Sequence, residues 1–304
     1  MNMSEPAQFS ATGLRGELSF EVDMRRHTSW RAGGKAQHMY RPADLADLQL
    51  FLRQLPSDEP LLAVGLGSNL LVRDGGFRGT VLLMHGALSE LRMDGENIYV
   101  QAGVAGAKLA RFAASNHFCG AEFFVGIPGT LGGMLAMNAG CYGSETWQKV
   151  ARVQVLTRQG ELLERAPQEY DIGYRHVELH KRNDEFFVGA WLRLETGDVD
   201  AARQEIKALM EKRSASQPLQ LPNAGSVFRN PPGNHAAKLI EGCGLKGKRI
   251  GGAQVSEKHA NFIVNVGEAT AADIENLINE VRATVQQQTG IDLHPEVKII
   301  GEKA

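Results

Sequence analysis

Three separated segments carry side chains able to do chemistry. Gly173-Tyr174-Arg175 offers a planar, permanently charged guanidinium two residues after a glycine. Asn223-Ala-Gly-Ser226-Val-Phe-Arg-Asn-Pro231 sets a hydroxyl beside a glycine in a proline-marked loop. His294-Pro295-Glu296-Val297 puts a carboxyl group at the mouth of an apolar, strand-like stretch. Loops held on rigid elements are where function concentrates, so these three pieces are the candidates for reactivity. Each also has a plain structural reading. A serine after glycine is commonly a turn residue, an arginine beside tyrosine is commonly solvated or ion-paired, and a glutamate before a strand is commonly only solvated. Spacing alone does not bring Arg175, Ser226 and Glu296 together. The nucleophile elbow G-x-S-x-G is excluded, because Gly225 directly precedes Ser226 and no glycine stands two residues after it.

Two glycine-rich turns accompany them. Gly126 to Gly140 reads GIPGTLGGMLAMNAG, with glycines set among Ile127, Leu131, Met134, Leu135 and Met137. A flexible linker would lack those apolar side chains, so this backbone is expected to pack tightly where Cβ atoms have little room. Turns of this kind form concavities for anions. Gly65-Leu66-Gly67-Ser68-Asn69-Leu70-Leu71 repeats the theme just after the apolar run Leu61 to Val64. Two such turns point to one extended dinucleotide, although either alone could be a ligand-free turn. The G-x-G-x-x-G fingerprint fails at Leu70, and no G-x-x-x-x-G-K-[ST] loop exists, so the usual NAD and P-loop folds fit poorly.

Composition narrows the field further. The 304 residues are 43% hydrophobic and 22% charged, which allows two or three packed units and excludes extensive disorder. Thirty-three Lys and Arg against 35 Asp and Glu leave a net charge of -2, unlike a nucleic-acid binder. No apolar run approaches a membrane span, and the polar N-terminus has no signal-peptide core. Cys119, Cys141 and Cys243 show neither metal-ligand spacing nor a disulfide framework. A cytoplasmic, metal-free protein without nucleic-acid or membrane partners is expected, and a monomer.

The elements that must position these residues are legible in outline. A helix is expected over 45–55, with Asp44 as N-cap, followed by the strand Leu61 to Val64. Strands are expected at Val81 to Met84, Ile98 to Ala102, Val153 to Thr157 and Phe186 to Leu194, with a hairpin turn at Gln159-Gly160. A helix is predicted from Lys108 to Asn116. After a boundary near Thr196-Gly197-Asp198 come a helix over 200–213, a proline-marked loop from Gln217 to Asn223 and a strand from Ile263 to Val266. Thr270 to Asp273 resembles a capping box, and Ile274, Leu277, Ile278, Val281 and Val285 follow at helical spacing until Gly290. Val297 to Ile300 is the closing strand. The layout is α+β.

Taken in order, the motifs closely resemble the UDP-N-acetylenolpyruvoylglucosamine reductase (MurB) family from about Thr28 to Gly301. They include T-S-W-R-A-G-G at 28–34, G-L-G-S-N-L-L-V at 65–72, G-I-P-G-T-L-G-G at 126–133 and M-N-A-G-C-Y-G at 137–143. Further along stand Y-R at 174–175, A-G-S-V-F-R-N-P at 224–231, I-G-G-A-Q-V-S-E-K-H-A-N-F at 250–262 and P-E-V-K-I-I-G at 295–301. The resemblance implies a vanillyl-alcohol-oxidase/PCMH-type FAD-binding fold of two subdomains plus a C-terminal α+β substrate-binding domain. The expected division is 1–62 and 63–196 for the two subdomains, within a PCMH-type region of about 28–196, and 197–304 for the substrate domain. The last strand could return to the FAD region.

By the same resemblance the cofactor is non-covalent FAD, the donor is NADPH and the substrate is a UDP-sugar carrying an enolpyruvyl group. Its reduction would give UDP-N-acetylmuramate for peptidoglycan. The implied catalytic residues are Arg175, Ser226 and Glu296. Implied FAD contacts are Gly65, Gly67, Ser68, Asn69, Leu70, Gly126, Ile127, Pro128, Gly129, Thr130, Gly133, Asn138, Ala139 and Gly140. Implied substrate contacts are Tyr174, Arg213, Gln217 and Asn230. Arg175 would hold the substrate carboxylate as charge develops, Glu296 would assist by hydrogen bonding, and Ser226 would donate the proton. Three departures stand out: Val177 where the family usually has serine, Trp30 for phenylalanine and Arg229 for lysine. No long tyrosine-bearing lid loop fits after Tyr174, which implies the shorter subclass. An oxidase on the same fold and an inactive flavin- or nucleotide-binding module are the alternatives, and the three retained residues weigh against both.

Overall fold

The computed structural model describes residues 12–181 and 184–304. The extreme N-terminal part of the stretch read as lacking a signal peptide, residues 1–11, lies outside them. The chain divides into two compact units, each assembled from non-contiguous stretches. No helix among the described residues is long and apolar enough to cross a membrane.

The first unit comprises residues up to Ser19, His38–Gly65 and Gly79–Val199. Helix α1, Leu45–Gln54, begins where the sequence places it, with the Asp44 carboxylate accepting from the Asp47 amide at 2.9 Å. Its apolar stripe of Leu48, Phe51 and Leu52 is buried with Tyr40, Leu82, Met84, Leu156 and Val188. Beside it Leu61–Val64 runs parallel to the strand Phe77–Leu83, Leu61 opposite Thr80. A five-stranded antiparallel sheet follows, in the order Leu162–Arg165, Val150–Thr157, Glu185–Arg193, Asn97–Gln101 and Leu91–Asp94. The Gln159-Gly160 turn is present, with Gly160 at φ 75°, a conformation glycine adopts without strain.

Helix α2, Gly106–Ser115, starts two residues before the expected Lys108, because Ala105 already accepts from Lys108 and Leu109. Helix α3, Leu131–Ala136, lies inside the long glycine-rich segment and has no counterpart in the sequence reading. Its Gly132 and Gly133 hid it, since glycine is a poor helix former. Burial of Leu131, Met134 and Leu135 overrides that local preference.

The second unit comprises Phe20–Gln37, Leu66–Arg78 and Asp200–Ala304. Helix α4, Val199–Ser216, buries Ala202, Ile206 and Leu209, while helix α5, Ala236–Gly242, and helix α6, Ala271–Thr289, contribute to a core that also holds Trp30, Leu71, Phe228 and Ile263. The capping box of α6 is formed: the Thr270 hydroxyl accepts from the Asp273 amide, the Asp273 carboxylate accepts from Thr270, both at 3.0 Å. Gly290, at φ 74°, ends the helix as expected.

Arg249–Ile250, Ala253–Val255 and Ile263–Asn265 form an antiparallel sheet. The closing strand Lys298–Ile300 pairs in parallel with Leu70–Val72, Lys298 opposite Leu70. Just beyond Val72, Arg73 forks onto Glu275 at 2.8 and 3.0 Å, and Asp74 accepts from the first amides of α6, Ala271 and Ala272. The first glycine turn is thereby tied to the C-terminal helix and strand. A carboxylate at a helix start is favoured by the exposed amides and the dipole.

Candidate active site

In the first unit, Tyr170–Gly173 and His176–Leu179 form a hairpin in which Gly173 faces His176. Tyr174 and Arg175 are its two-residue tip. Arg175 has φ 55°, a conformation unusual for any residue but glycine or asparagine. Its guanidinium donates to the carbonyl of Gly140 at 3.0 Å and to that of Asn138 at 3.3 Å, and lies 5.1 Å from the Tyr174 ring centre. Gly140, Cys141, Glu145, Gln148, Tyr174 and Arg175 line a cavity open to solvent. Arg175 and the end of the second glycine-rich segment, far apart in the chain, are therefore neighbours.

That segment is fastened by its backbone. The amides of Leu131 and Gly132 donate to Val104 and Ala102, both at 2.9 Å, and Gly106 donates to Gly129 at 3.3 Å. Gly126 leaves room for the Tyr142 ring and the Cys141 sulfur, which a Cβ would strike. Gly65 lies against Thr130 so closely that a Cβ would collide with its hydroxyl. The start of the first glycine-rich turn thus lies beside the second. Gly133 differs from them: a Cβ there would meet nothing within 4 Å. Close backbone approach at Gly65 and Gly126 with open space at Gly133 fits a flat, extended cofactor such as FAD.

In the second unit, Gly67 adopts φ 60°, its missing Cβ admitting the His27 carbonyl, and its own carbonyl accepts from Ser29 at 3.1 Å. Asn69 donates its side-chain amide to the carbonyl of Glu296 at 3.1 Å. The Glu296 amide donates to Val227 at 2.7 Å, and Phe228 bridges Pro295. Ser226 and Glu296 therefore stand on adjacent backbone, which spacing in sequence could not establish.

Asn261 clamps the same strip. Its carbonyl accepts from Val227, and its buried side chain accepts from the Phe228 amide at 3.0 Å and donates to the Phe228 carbonyl at 2.8 Å. Sequence reasoning missed it as a site residue. The available signal was an amide side chain between the apolar Ala260 and Phe262, which must find partners when buried. Burial holds the nearby His259 below the usual histidine range, and its Nδ1 accepts from the Asn261 amide at 3.3 Å.

The expected substrate contacts are spread out. Arg213 reaches the Gln217 side chain at 3.2 Å at the end of α4. Asn230 accepts from Ala236 at the start of α5, at 3.0 Å. One residue earlier, the Nε of Arg229 is buried without a hydrogen-bond partner among the described residues. Tyr174 is half exposed on the hairpin tip.

The site chemistry and fold define a class, an FAD-containing oxidoreductase built as an FAD-binding part followed by a distinct C-terminal domain. Residues 36–165 match the FAD binding domain family, and residues 217–300 match the C-terminal domain of UDP-N-acetylenolpyruvoylglucosamine reductase. A UDP-N-acetylenolpyruvoylglucosamine reductase of Thiobacillus denitrificans is 55% identical over all of this chain and 98% of its own length. One from Legionella pneumophila is 54% identical over 96% and 94%. The crystal structure of the reductase from Thermus caldophilus superposes with a TM-score of 0.79 at 30% identity, covering 94% of this chain and 99% of that one. The chain belongs to the UDP-N-acetylenolpyruvoylglucosamine reductase (MurB) family.

Proposed function

We propose that this enzyme uses NADPH to reduce UDP-N-acetyl-3-O-(1-carboxyvinyl)-glucosamine to UDP-N-acetylmuramate, a step in peptidoglycan precursor synthesis. Bound non-covalently, FAD supplies the two-electron chemistry that links NADPH to the sugar nucleotide. Its binding residues are Gly65, Gly67 to Leu70, Gly126 to Thr130, Gly133, Ala139 and Gly140. The FAD-binding part spans about 28–196 in two subdomains, 1–62 and 63–196, and residues 197–304 bind substrate.

Arg175 holds the substrate carboxylate. Two main-chain carbonyls fix its guanidinium, so little reorganisation is needed as negative charge builds on the enolic group. Glu296 hydrogen-bonds that group. Ser226 gives its proton to the carbon bearing the carboxylate. A hydroxyl is a weak acid, and this transfer works because the developing carbanion is strongly basic. Tyr174, Arg213, Gln217 and Asn230 contact the remainder of the substrate. The short hairpin at Tyr174-Arg175, with Val177 in its second strand, supports the subclass without the tyrosine lid. The protein acts as a cytoplasmic monomer.

The observation that carries this reading is the Glu296–Val227 hydrogen bond, which sets a carboxyl residue beside the Ser226 loop. An anaerobic titration tests it. NADPH should bleach the flavin absorbance, and the enolpyruvyl UDP-sugar should restore it stoichiometrically. Restoration by oxygen alone, with no response to the sugar nucleotide, would establish an oxidase instead.

A further inference from the structure

Asn138 was expected to be a cofactor contact. Its side chain has other work. The residue is 1% exposed and holds φ 39°. Its Nδ2 donates to the Glu145 carboxylate at 2.9 Å and to the Gly173 carbonyl at 3.1 Å, while Oδ1 accepts from the Trp147 amide at 3.1 Å. This amide orientation alone satisfies all three partners, because a flip would set Oδ1 against two acceptors. Gly173 is the root of the hairpin turn that carries Arg175. The Asn138 carbonyl also accepts from the Arg175 guanidinium at 3.3 Å.

One residue therefore grips Arg175 at both ends, through the root of its turn and through its charged tip. Two left-handed backbone conformations, at Asn138 and Arg175, face each other across this contact. Asparagine tolerates that conformation better than most residues.

We propose that Asn138 is the positioning residue for Arg175, setting the guanidinium for the substrate carboxylate, rather than a ligand of FAD. The inference rests on the role given above to Arg175. Asn138→Gly separates the contributions cleanly. Glycine keeps the left-handed backbone and the carbonyl that Arg175 uses, and removes only the three side-chain bonds. The holoenzyme variant should retain FAD and be reduced by NADPH at an unchanged rate. Reoxidation by the enolpyruvyl UDP-sugar should slow by about 10–100-fold, the scale of a slightly misplaced catalytic group. Asn138→Asp, which keeps the acceptor and loses both donors, should behave alike.

The decisive measurement is a double-mutant cycle in stopped flow. In an Arg175→Ala background, Asn138→Gly should add less than about 3-fold, because two residues acting through one contact are not additive. Equal slowing in both backgrounds would overturn the proposal while leaving Arg175 in place. Loss of FAD from both Asn138 variants would overturn it too, making the residue a cofactor or purely structural one. If Arg175→Ala itself spares reoxidation, the reading of Arg175 fails, and this proposal with it.

Discussion

Asn69 donates its side-chain amide to the main-chain oxygen of Glu296 at 3.1 Å, and its own carbonyl accepts from Lys298 at 3.0 Å. A residue of the first glycine-rich turn thus brackets Val297, directly after the proposed catalytic carboxyl residue. Glu296 is held at its backbone on both its amide and its carbonyl. Any disturbance of the Gly65–Leu70 turn should therefore be felt in substrate reduction as well as in flavin retention.

Ser226→Ala should leave flavin reduction by NADPH intact and slow reoxidation by the sugar nucleotide by about 10²–10⁴-fold, the usual cost of losing a general acid. Stopped-flow traces of the two half-reactions check this. Equal damage to both would make the serine structural.

Arg175→Lys keeps the charge and loses the two-pronged planar fork that matches a carboxylate. Substrate reduction should fall far more than FAD content. Glu296→Gln keeps the shape and a hydrogen-bond donor, so it should be milder than Glu296→Ala if the carboxyl acts as a neutral donor. Equal inactivity of the two would instead require an ionisable group.

Gly133→Ala makes opposite predictions for the empty and loaded protein. The added methyl group meets open space in the middle of α3, so the apoprotein should gain about 0.5–1 kcal/mol from helix propensity. FAD affinity should drop if that space is the cofactor's, as proposed above. Apoprotein melting and flavin titration read the two effects, and an unchanged affinity removes Gly133 from the FAD site.

Asn261→Ala strips the Phe228 amide and carbonyl of their buried partners. A cost of about 1–3 kcal/mol is expected for each group left unpaired. Urea unfolding measures it. A loss below about 0.5 kcal/mol, the size of an ordinary surface change, would mean that other partners replace the asparagine.

The Arg73 guanidinium holds the Glu275 carboxyl below the usual carboxylate range. A lowered carboxylate pKa stabilises the fold above the ordinary value, and that stability is lost as the pH falls through the lowered one. Glu275→Gln should melt a few degrees below wild type at neutral pH, and the two curves should converge in acid. A constant gap at every pH would assign the loss to packing.

Much of this was readable where one local rule decides the outcome. Asp44, Thr270 and Gly290 mark helix ends through side chains or backbone conformations that act within four residues. The period of Ile274, Leu277, Ile278, Val281 and Val285 identified the buried face of α6 directly. Helix α3 was not readable, since its two glycines argue locally against a helix that tertiary burial imposes. The site was readable as types and motifs but not as neighbours. Nothing near Ser226 in the chain announces Glu296, seventy residues on, and nothing near Arg175 announces Asn138. Those pairings arise from hydrogen bonds whose sequence separation defeats any local pattern. Asn138 shows a second limit: nothing in the motif that contains it foretells its side-chain bonds to Glu145, Gly173 and Trp147.

The parallel pairing of Lys298–Ile300 with Leu70–Val72 has a consequence for synthesis of the chain. The strand that follows the first glycine turn waits for a partner made more than two hundred residues later. While the ribosome is still at work, Leu70 to Val72 and the segment around Trp30 have neither their strand partner nor the α6 face that covers them. Such late closure is slow and exposes an apolar edge in the interim. Flavin loading should accordingly be a post-translational event. Chains released before Lys298 should emerge colourless and bind chaperones, even though every glycine of both turns is already present.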